Sequence, residues 1–279
     1  MKSVFLSMIA ALVTASGVQA GVVIKGSDTV LPFSQKAAEV YLKKHAEASV
    51  TVIGGGSGVG IAAMIDGTCD IAQSSRPIKT KEKKQAQKNG VEPVETVVAL
   101  DALTVIVHPS NPVKELTIQQ LGDIFTGTLT NWKDVGGKDM PIVVYSRESS
   151  SGTYAFCREH VLDNREYAAS ALLAPATGAI VQSISQTEGA IGYIGMAYLT
   201  DSVTALKVAA EAGQPFVGAS VETAASGSYP IARQLYYYTS GQPKGEAKAF
   251  IDYVLSPDGQ ALVAGLGYVP VKPATTAAK

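Results

Sequence analysis

Small and hydroxyl residues recur at three points of the sequence where an apolar run gives way to a helical pattern. The three stretches are GSDTV at 26–30, GGGSGVG at 54–60 and SRESSSGTY at 146–154. The first N–H groups of a helix have no partners within the helix, and they point out of an end that carries about half a positive charge. Glycines there let a ligand approach the backbone, and Ser and Thr add hydroxyl donors. These residue types therefore favour anion binding at each helix start.

Each stretch alone is also explained by capping, because Ser or Thr before a helix is usually an N-cap. The three stretches together, with two arginines beside them, favour anion binding instead. Arg76 ends an apolar run and Arg147 precedes a helix start, and the planar paired donors of arginine suit a tetrahedral oxyanion. A surface ion pair is the alternative role for both arginines. Helix starts that follow parallel strands can converge at the carboxyl ends of those strands, so we expect one shared cleft.

Catalytic and nucleotide-binding motifs are not matched. The glycine-rich stretch lacks the Gly-Lys-Ser/Thr of a P-loop, the glycine spacing of the dinucleotide fingerprint and the G-x-S-x-G of a nucleophile elbow. A secreted hydrolase or phosphatase using Ser57 or Ser151 would need a base within reach, and no histidine is plausibly placed for that role. The histidines also lack metal-binding spacing; they are His45, His108 and His160. We therefore expect neither an enzyme nor a metal or cofactor site.

Alternating strand and helix patterns must position these stretches. Strand patterns occupy 22–25, 49–53 and 69–74, and helical patterns occupy 31–45, 57–67 and 79–90. The alternation resumes at residue 117, and with short connections it predicts an α/β fold with mainly parallel sheets. Two extended runs within 91–112, broken near Leu100 and Asp101, and a late run at 229–239 are candidate crossovers between two domains.

Residues 1–20 have the pattern of a secretory signal peptide, with Lys2, an apolar stretch and small residues before Gly21. We expect cleavage before Gly21 and, because that residue is not Cys, no lipid anchor. No later segment has the length of a transmembrane helix. The net charge of −1 does not favour nucleic acid or a membrane surface as partner. Cys69 and Cys157 could pair in an exported protein, but two free, buried thiols are the preferred prediction.

Taken in order along the chain, these motifs resemble the phosphate-binding protein of phosphate ABC transporters. The stretches that carry the resemblance are GSDTVLP, GGGSGVGIAAMIDGTCDIAQSSRPIK, SRESSSGTY, GAIGYIG, YPIARQLYYYT and FIDYVLSPDGQALVAGLGYVPV. The resemblance implies a type II periplasmic binding protein fold, in which two crossover strands join two α/β lobes and the anion is enclosed between them. We place lobe 1 at 21–101 and 236–279, and lobe 2 at 102–235.

The resemblance also implies a function and a set of ligand contacts. It implies a periplasmic protein, expected to be a monomer, that binds inorganic phosphate and delivers it to an ABC permease at the inner membrane. No nucleic acid, cofactor or catalysis is expected. The contacts carried over onto this sequence are Thr29, the backbone of Val30, Ser57, Ser75, Arg76, Arg147, Ser151, Gly152 and Thr153.

Ser75 departs from the family pattern, because well-known members have an aspartate there that accepts the proton of HPO₄²⁻ and repels sulfate. A serine can accept that hydrogen bond or donate one to sulfate, so it discriminates less. Asp28 and Glu148 are candidates for the missing acceptor, and Ser150 stands where the family has a glycine. The alternatives are binding of sulfate or molybdate, a secreted serine hydrolase, and a surface protein that uses the fold for adhesion or sensing.

Overall fold

The computed structural model describes residues 21–271, so the expected signal peptide lies outside the described residues. The first part of the chain follows the predicted alternation. Its elements are β1 (Val22–Gly26), α1 (Leu31–Lys44), β2 (Val50–Ile53), α2 (Ser57–Ile65), β3 (Ile71–Ser74), α3 (Thr80–Lys88) and β4 (Pro93–Val107). β1 pairs in parallel with both β2 and β3, because a helix that crosses over the sheet returns the chain in the same direction.

The second part of the chain adds helices at the predicted places and several short elements. Its elements are β5 (Glu115–Thr117), α4 (Ile118–Phe125), β6 (Val143–Arg147), α5 (Gly152–His160), β7 (Leu172–Ala174), α6 (Thr177–Ser185), β8 (Ala190–Gly195), β9 (Thr204–Ala205), β10 (Lys207–Ala209), α7 (Val221–Ala225), β11 (Ala232–Ser240), α8 (Gly245–Leu255) and α9 (Pro257–Gly265), with 3₁₀ helices at Trp132–Val135 and Met196–Tyr198. The short strands β5, β7, β9 and β10 have no counterpart in the sequence prediction, because two or three residues are too few to show a period. Among the helices of residues 21–271, none combines the length and hydropathy needed to cross a membrane.

Two long strands connect the halves of the molecule. The main sheet has the order β2-β1-β3-β11-β4-β8-β6-β7, with β9 beside β4, and β5 pairs separately with β10. β6 is parallel to β7 and β8, whereas β4 and β11 run antiparallel to each other and to their outer neighbours. β4 and β11 are therefore the crossover strands. We call the half that contains β1, β2 and β3 lobe 1, and the half that contains β6, β7 and β8 lobe 2.

β4 is one continuous strand of 15 residues, so the predicted break near Leu100 and Asp101 is wrong. The strand changes partner instead of breaking: residues 93–102 pair with β11 and residues 103–107 pair with β8. A charged residue is tolerated within the strand because Asp101 lies opposite Arg233 and binds its guanidinium. The sequence shows the charge of Asp101 within the run but does not identify Arg233 as its partner.

Buried apolar residues form separate clusters in the two lobes. Two clusters consist of residues within 22–99 and 235–268, and two consist of residues within 102–231 together with Val269. Cys69 and Cys157 belong to different clusters. Both thiols are buried and free, which confirms the preferred prediction for the cysteines.

Candidate anion-binding site

Three helix starts supply six of the nine predicted site residues, and the ends of β3 and β6 supply Ser75, Arg76 and Arg147. Ser57 is the first residue of α2, and Ser151 is the N-cap of α5, where its Oγ accepts hydrogen bonds from two backbone N–H groups. Thr29 precedes α1, and Val30 occupies the N-cap position of that helix. The Val30 N–H donates to the carbonyl of Ser27 at 3.2 Å. The predicted helix starts are therefore present, although only Ser151 caps its helix with a side chain.

Four hydroxyl groups from both lobes converge. Thr29 Oγ1 lies 2.8 Å from Thr153 Oγ1, and Ser57 Oγ lies 3.4 Å from Ser75 Oγ. A Cβ atom on Gly152 would lie 2.6 Å from Ser75 Oγ and closer still to Ser57 Oγ, so Gly152 of lobe 2 rests against the two serines of lobe 1. We call the hydroxyls of Thr29, Ser57, Ser75 and Thr153 the hydroxyl cluster.

The hydroxyl cluster is buried, with each of its residues no more than 2% exposed. Ser57 Oγ accepts the backbone N–H of Ser75 at 3.0 Å, and Ser151 Oγ accepts the N–H of Thr153 at 3.2 Å. Because an N–H can only donate, these bonds occupy oxygen lone pairs and leave the hydroxyl protons available. A group of buried O–H donors suits an ion that mainly accepts hydrogen bonds.

The glycine-rich stretch admits other backbone segments as well as any ligand. The Gly58 N–H donates to the Ser150 carbonyl at 2.9 Å, and a Cβ on Gly56 would lie 2.7 Å from the same oxygen. Gly56 also has a φ of 95°, which disfavours any residue with a Cβ. Gly60 lies against the carbonyl of Lys25. Because Ser150 meets lobe 1 chiefly through its backbone, a serine is tolerated where the family has a glycine.

Arg147 joins the lobes through a buried ion pair. Its Nη2 lies 2.6 Å from Asp28 Oδ2, and its Nε and Nη1 donate to Ala174 O at 3.2 Å and Thr177 Oγ1 at 2.8 Å. The other oxygen of Asp28 accepts the N–H of Gly55 at 3.1 Å. Arg147 therefore adjoins the hydroxyl cluster through Asp28, which is the chain neighbour of Thr29.

The two carboxylates considered as proton acceptors lie in different places. Asp28 is 7% exposed, and each of its oxygens already accepts a hydrogen bond. Glu148 is exposed and lines a surface cavity beside Tyr154 and Tyr167. Glu148 is therefore outside the cleft, and Ser75 is the group that stands at the aspartate position.

Arg76 binds Glu82 rather than the hydroxyl cluster. Its Nη1 and Nη2 donate to the two carboxylate oxygens of Glu82 at 2.8 and 2.6 Å. Glu82 also accepts the N–H of Lys79 at 2.8 Å, at the start of α3. The arginine is 6% exposed, so it forms the alternative ion pair of the sequence analysis, but as a buried pair. Within residues 21–271 the side chain of Arg76 bonds Pro77 and Glu82 and none of the other predicted contacts, although its Nη2 would lie 3.8 Å from a Cβ on Gly58.

A second buried ion pair lies against the hydroxyl cluster and has no counterpart in the sequence prediction. Arg233 Nη2 lies 2.8 Å from Asp101 Oδ2, with side chains only 2% and 0% exposed. Burial raises the pKa of Asp101, and the charge and hydrogen bonds of Arg233 oppose that shift. The available signal was one charged residue in each of two extended runs, ALDAL and IARQL, since a charge in a buried strand needs a partner.

Comparisons with known proteins agree with this architecture. A family model described as a PBP superfamily domain matches residues 13–258. The chain is 34% identical over 283 residues to the phosphate-binding protein PstS of Pseudomonas aeruginosa, covering 95% of this chain and 87% of that protein. It is 35% identical over 250 residues to the PstS of Bacillus subtilis, covering 89% and 80%.

A solved structure from Clostridium perfringens is also similar. It is described as a phosphate ABC transporter substrate-binding protein with bound phosphate, and it superimposes with a TM-score of 0.83 at 36% identity. The match covers 90% of this chain and 100% of that chain. These similarities confirm the predicted two-lobed α/β fold of type II periplasmic binding proteins.

Proposed function

This chain belongs to the family of phosphate-binding proteins of phosphate ABC transporters, within the PBP superfamily, and on that premise we propose that it binds inorganic phosphate and delivers it to a membrane permease. The observation that carries the proposal is the hydroxyl cluster. It gathers buried O–H donors from four separate segments, and N–H groups occupy lone pairs of Ser57 in the cluster and of Ser151 beside it. A phosphate ion offers several acceptor oxygens to such donors.

The proposed contacts follow the geometry of the cleft. Ser57 and one member of the bonded pair Thr29 and Thr153 donate hydroxyl protons to the ion, and Ser151 orients the first turn of α5. Arg147 contributes through the ion pair with Asp28. Arg76 is left out, because both of its terminal nitrogens bind Glu82. The remaining proposed contacts are the Val30 backbone, Ser75 and Gly152.

We propose that the lobes open to admit the ion and close over it. Contacts that cross from lobe 1 to lobe 2 include Thr29 with Thr153, Asp28 with both Arg147 and Tyr198, and Gly58 with the Ser150 carbonyl. Opening would break these contacts and expose hydroxyls that are now buried. The proposed boundaries remain 21–101 and 236–279 for lobe 1 and 102–235 for lobe 2, and the separate apolar clusters support them.

Ser75 makes a second oxyanion a specific alternative. With a serine at this position, and both oxygens of Asp28 already bonded, the cleft lacks a free carboxylate at the aspartate position to repel sulfate. We propose phosphate as the main ligand, with weaker rejection of sulfate than an aspartate would give. Sulfate and molybdate are therefore the competitors to measure.

Several further properties belong to the proposal. We propose a periplasmic monomer that is released from its signal peptide, carries no lipid anchor and binds no nucleic acid. We also propose that it is not an enzyme. Among residues 21–271, the histidines bond or stack away from Ser57 and Ser151: His45 stacks on Tyr41, while His108 and His160 bond Ser110 and the Phe156 carbonyl.

Isothermal titration calorimetry tests the function. Protein lacking residues 1–20 is titrated with phosphate, arsenate, sulfate and molybdate at several pH values around neutrality. We expect phosphate to bind most tightly and Ser57→Ala to weaken it. Ser149→Ala is the matched control, because Ser149 is an exposed serine. If none of the four anions binds, the proposed function is wrong.

A further inference from the structure

Arg233 lies on the crossover strand β11 and donates hydrogen bonds to residues of the predicted anion site. We propose that Arg233 is a positioning residue, which orients the bonded hydroxyls of Thr29 and Thr153 so that one of their protons points toward the anion. This inference rests on the proposed function. It assigns a role in the site to β11, a strand from which no ligand contact was expected.

Asp101 and the surrounding packing fix the guanidinium in one orientation. Arg233 Nε and Nη2 donate to the same oxygen of Asp101 at 3.0 and 2.8 Å. The other oxygen of Asp101 accepts the N–H of Met196 at 2.9 Å, which holds the carboxylate in turn. The Arg233 Cζ lies 5.2 Å from the ring centroid of Phe156 in lobe 2. The side chain is thus held by β4, by β11 and by α5.

The remaining donors of Arg233 reach predicted site residues in both lobes. Nη2 donates to Thr153 Oγ1 at 3.2 Å and to Thr29 Oγ1 at 3.5 Å. Nη1 donates to the Ser75 carbonyl at 3.3 Å. Three residues of the site therefore share one guanidinium. Arg147, by contrast, bonds Asp28 and residues 174–177.

Arg233 acts on the site by determining where the hydroxyl protons of Thr29 and Thr153 point. A guanidinium can only donate, so Thr29 and Thr153 must both use oxygen lone pairs to meet it. The two hydroxyls lie 2.8 Å apart, so one of them donates its proton to the other. The proton of the second hydroxyl then has neither the guanidinium nor its neighbour as acceptor. It is directed into the cleft, where an anion can accept it.

The charge of Arg233 is balanced by Asp101, so its effect on the site is chiefly one of orientation. Removing the arginine alone would leave Asp101 buried without its partner, and that variant could fail to fold. Replacing both members by apolar residues avoids a lone buried charge, and such replacements are often tolerated. The double variant Arg233→Met/Asp101→Leu therefore separates folding from binding.

Phosphate titration of this double variant is the main test. We expect phosphate affinity to fall by about tenfold or more, as for loss of hydrogen bonds from a charged group to the site, while thermal unfolding without phosphate changes little. The control is Arg158→Met, which removes an arginine of α5 with a side chain 37% exposed and should leave affinity within about twofold, as for a surface ion pair.

A double-mutant cycle gives a readout that a merely structural role would not move. Arg233→Lys keeps the charge opposite Asp101 but loses the planar fork, which supplies the second bond to Asp101 and the bond to the Ser75 carbonyl. If Arg233 acts through Thr153, then Arg233→Lys with Thr153→Val should bind phosphate about as weakly as Thr153→Val alone, because the second change then removes nothing more. Additive losses, or an apolar double variant that binds like wild type, overturn the inference and leave the proposed function standing. Failure of the wild-type protein to bind phosphate overturns both.

Discussion

Gly152 offers a substitution that should weaken binding without weakening the fold. It is the first residue of α5, where alanine is a better helix former than glycine. A methyl group there would nevertheless lie 2.6 Å from Ser75 Oγ and 3.0 Å from the Cβ of Ser57, with Ser57 Oγ closer still. These contacts join lobe 2 to lobe 1, so the collision exists only when the lobes are closed. Gly152→Ala should therefore oppose closure.

The expected loss of phosphate affinity follows from the atoms that must move to relieve this collision. Rotating the two serines would relieve the contacts with their oxygens but not the contact with the Cβ of Ser57. It would also break the hydrogen bond from the Ser75 N–H to Ser57 Oγ. Overpacking of this kind costs about 1–3 kcal/mol, which weakens phosphate binding by roughly 5-fold to 150-fold. The free energy of unfolding in the absence of ligand should stay level or rise by up to about 1 kcal/mol.

Calorimetry with phosphate and urea unfolding without phosphate measure the two effects separately. The matched control is Gly178→Ala, because Gly178 is the second residue of α6 and a Cβ there would meet nothing within 4 Å. That variant should gain similar helix stability and bind phosphate like the wild type. If Gly152→Ala binds as tightly as Gly178→Ala, the lobes do not close on Ser57 and Ser75 around the ligand, and the reasoning fails.

Three further expectations concern residues in or near the lobes. Arg76→Met should lower the free energy of unfolding by about 1–3 kcal/mol through loss of a buried, charged hydrogen-bond donor. Calorimetry should nevertheless show phosphate affinity within about threefold, since both terminal nitrogens of Arg76 bind Glu82; a large loss of affinity would return Arg76 to the set of ligands. Ser75→Asp should raise the preference for phosphate over sulfate by about tenfold or more, since an unpaired buried acceptor costs about 1–3 kcal/mol, and competition titrations would contradict this if it and the exposed Ser149→Asp behave alike. Burial raises the pKa of the Cys157 thiol to about 12, whereas an unfolded thiol titrates near 8.5. The unfolded state therefore loses its proton first, and the contribution of this thiol to stability should fall between those values by about 1.4 kcal/mol per pH unit. Urea unfolding at several alkaline pH values should show that the free energy of unfolding declines less steeply with pH in Cys157→Ala than in the wild type. Equal slopes for the two proteins would contradict the raised pKa of this thiol.

Local signals account for the part of the fold and site that the sequence predicted. Helix periodicity and the small residues at 26–30, 54–60 and 146–154 depend on neighbours within one or two turns. α1 begins directly after the first of these stretches, and α2 and α5 begin within the second and the third. The convergence of the three helix starts also followed, because parallel strands bring their carboxyl ends to one edge. Thr29, Ser57 and Thr153 are accordingly found together.

The partners of the charged residues depend on sheet order, which local patterns do not contain. Asp28 and Arg147 are separated by 119 residues, and Asp101 and Arg233 by 132. Each pair forms only because β11 lies beside β4 and lobe 2 closes on lobe 1. For Arg76 the sequence left a ligand contact and an ion pair open, and its ion-pair partner, Glu82, is only six residues away. Composition and spacing place a charge on an element, but they do not decide which neighbour neutralises it.

The two ion pairs bear on how this cleft can hold an anion. Arg147 and Arg233 are each matched by a buried carboxylate, so these pairs bring little net positive charge to the cleft. A dianion placed there must be stabilised mainly by the orientation of N–H and O–H dipoles, which are effective because they are fixed and shielded from water. That requirement explains why several groups of the site serve to orient other hydrogen-bond donors. The N–H of Ser75 fixes Ser57, Ser151 holds the first turn of α5, and Arg233 fixes the hydroxyls of Thr29 and Thr153.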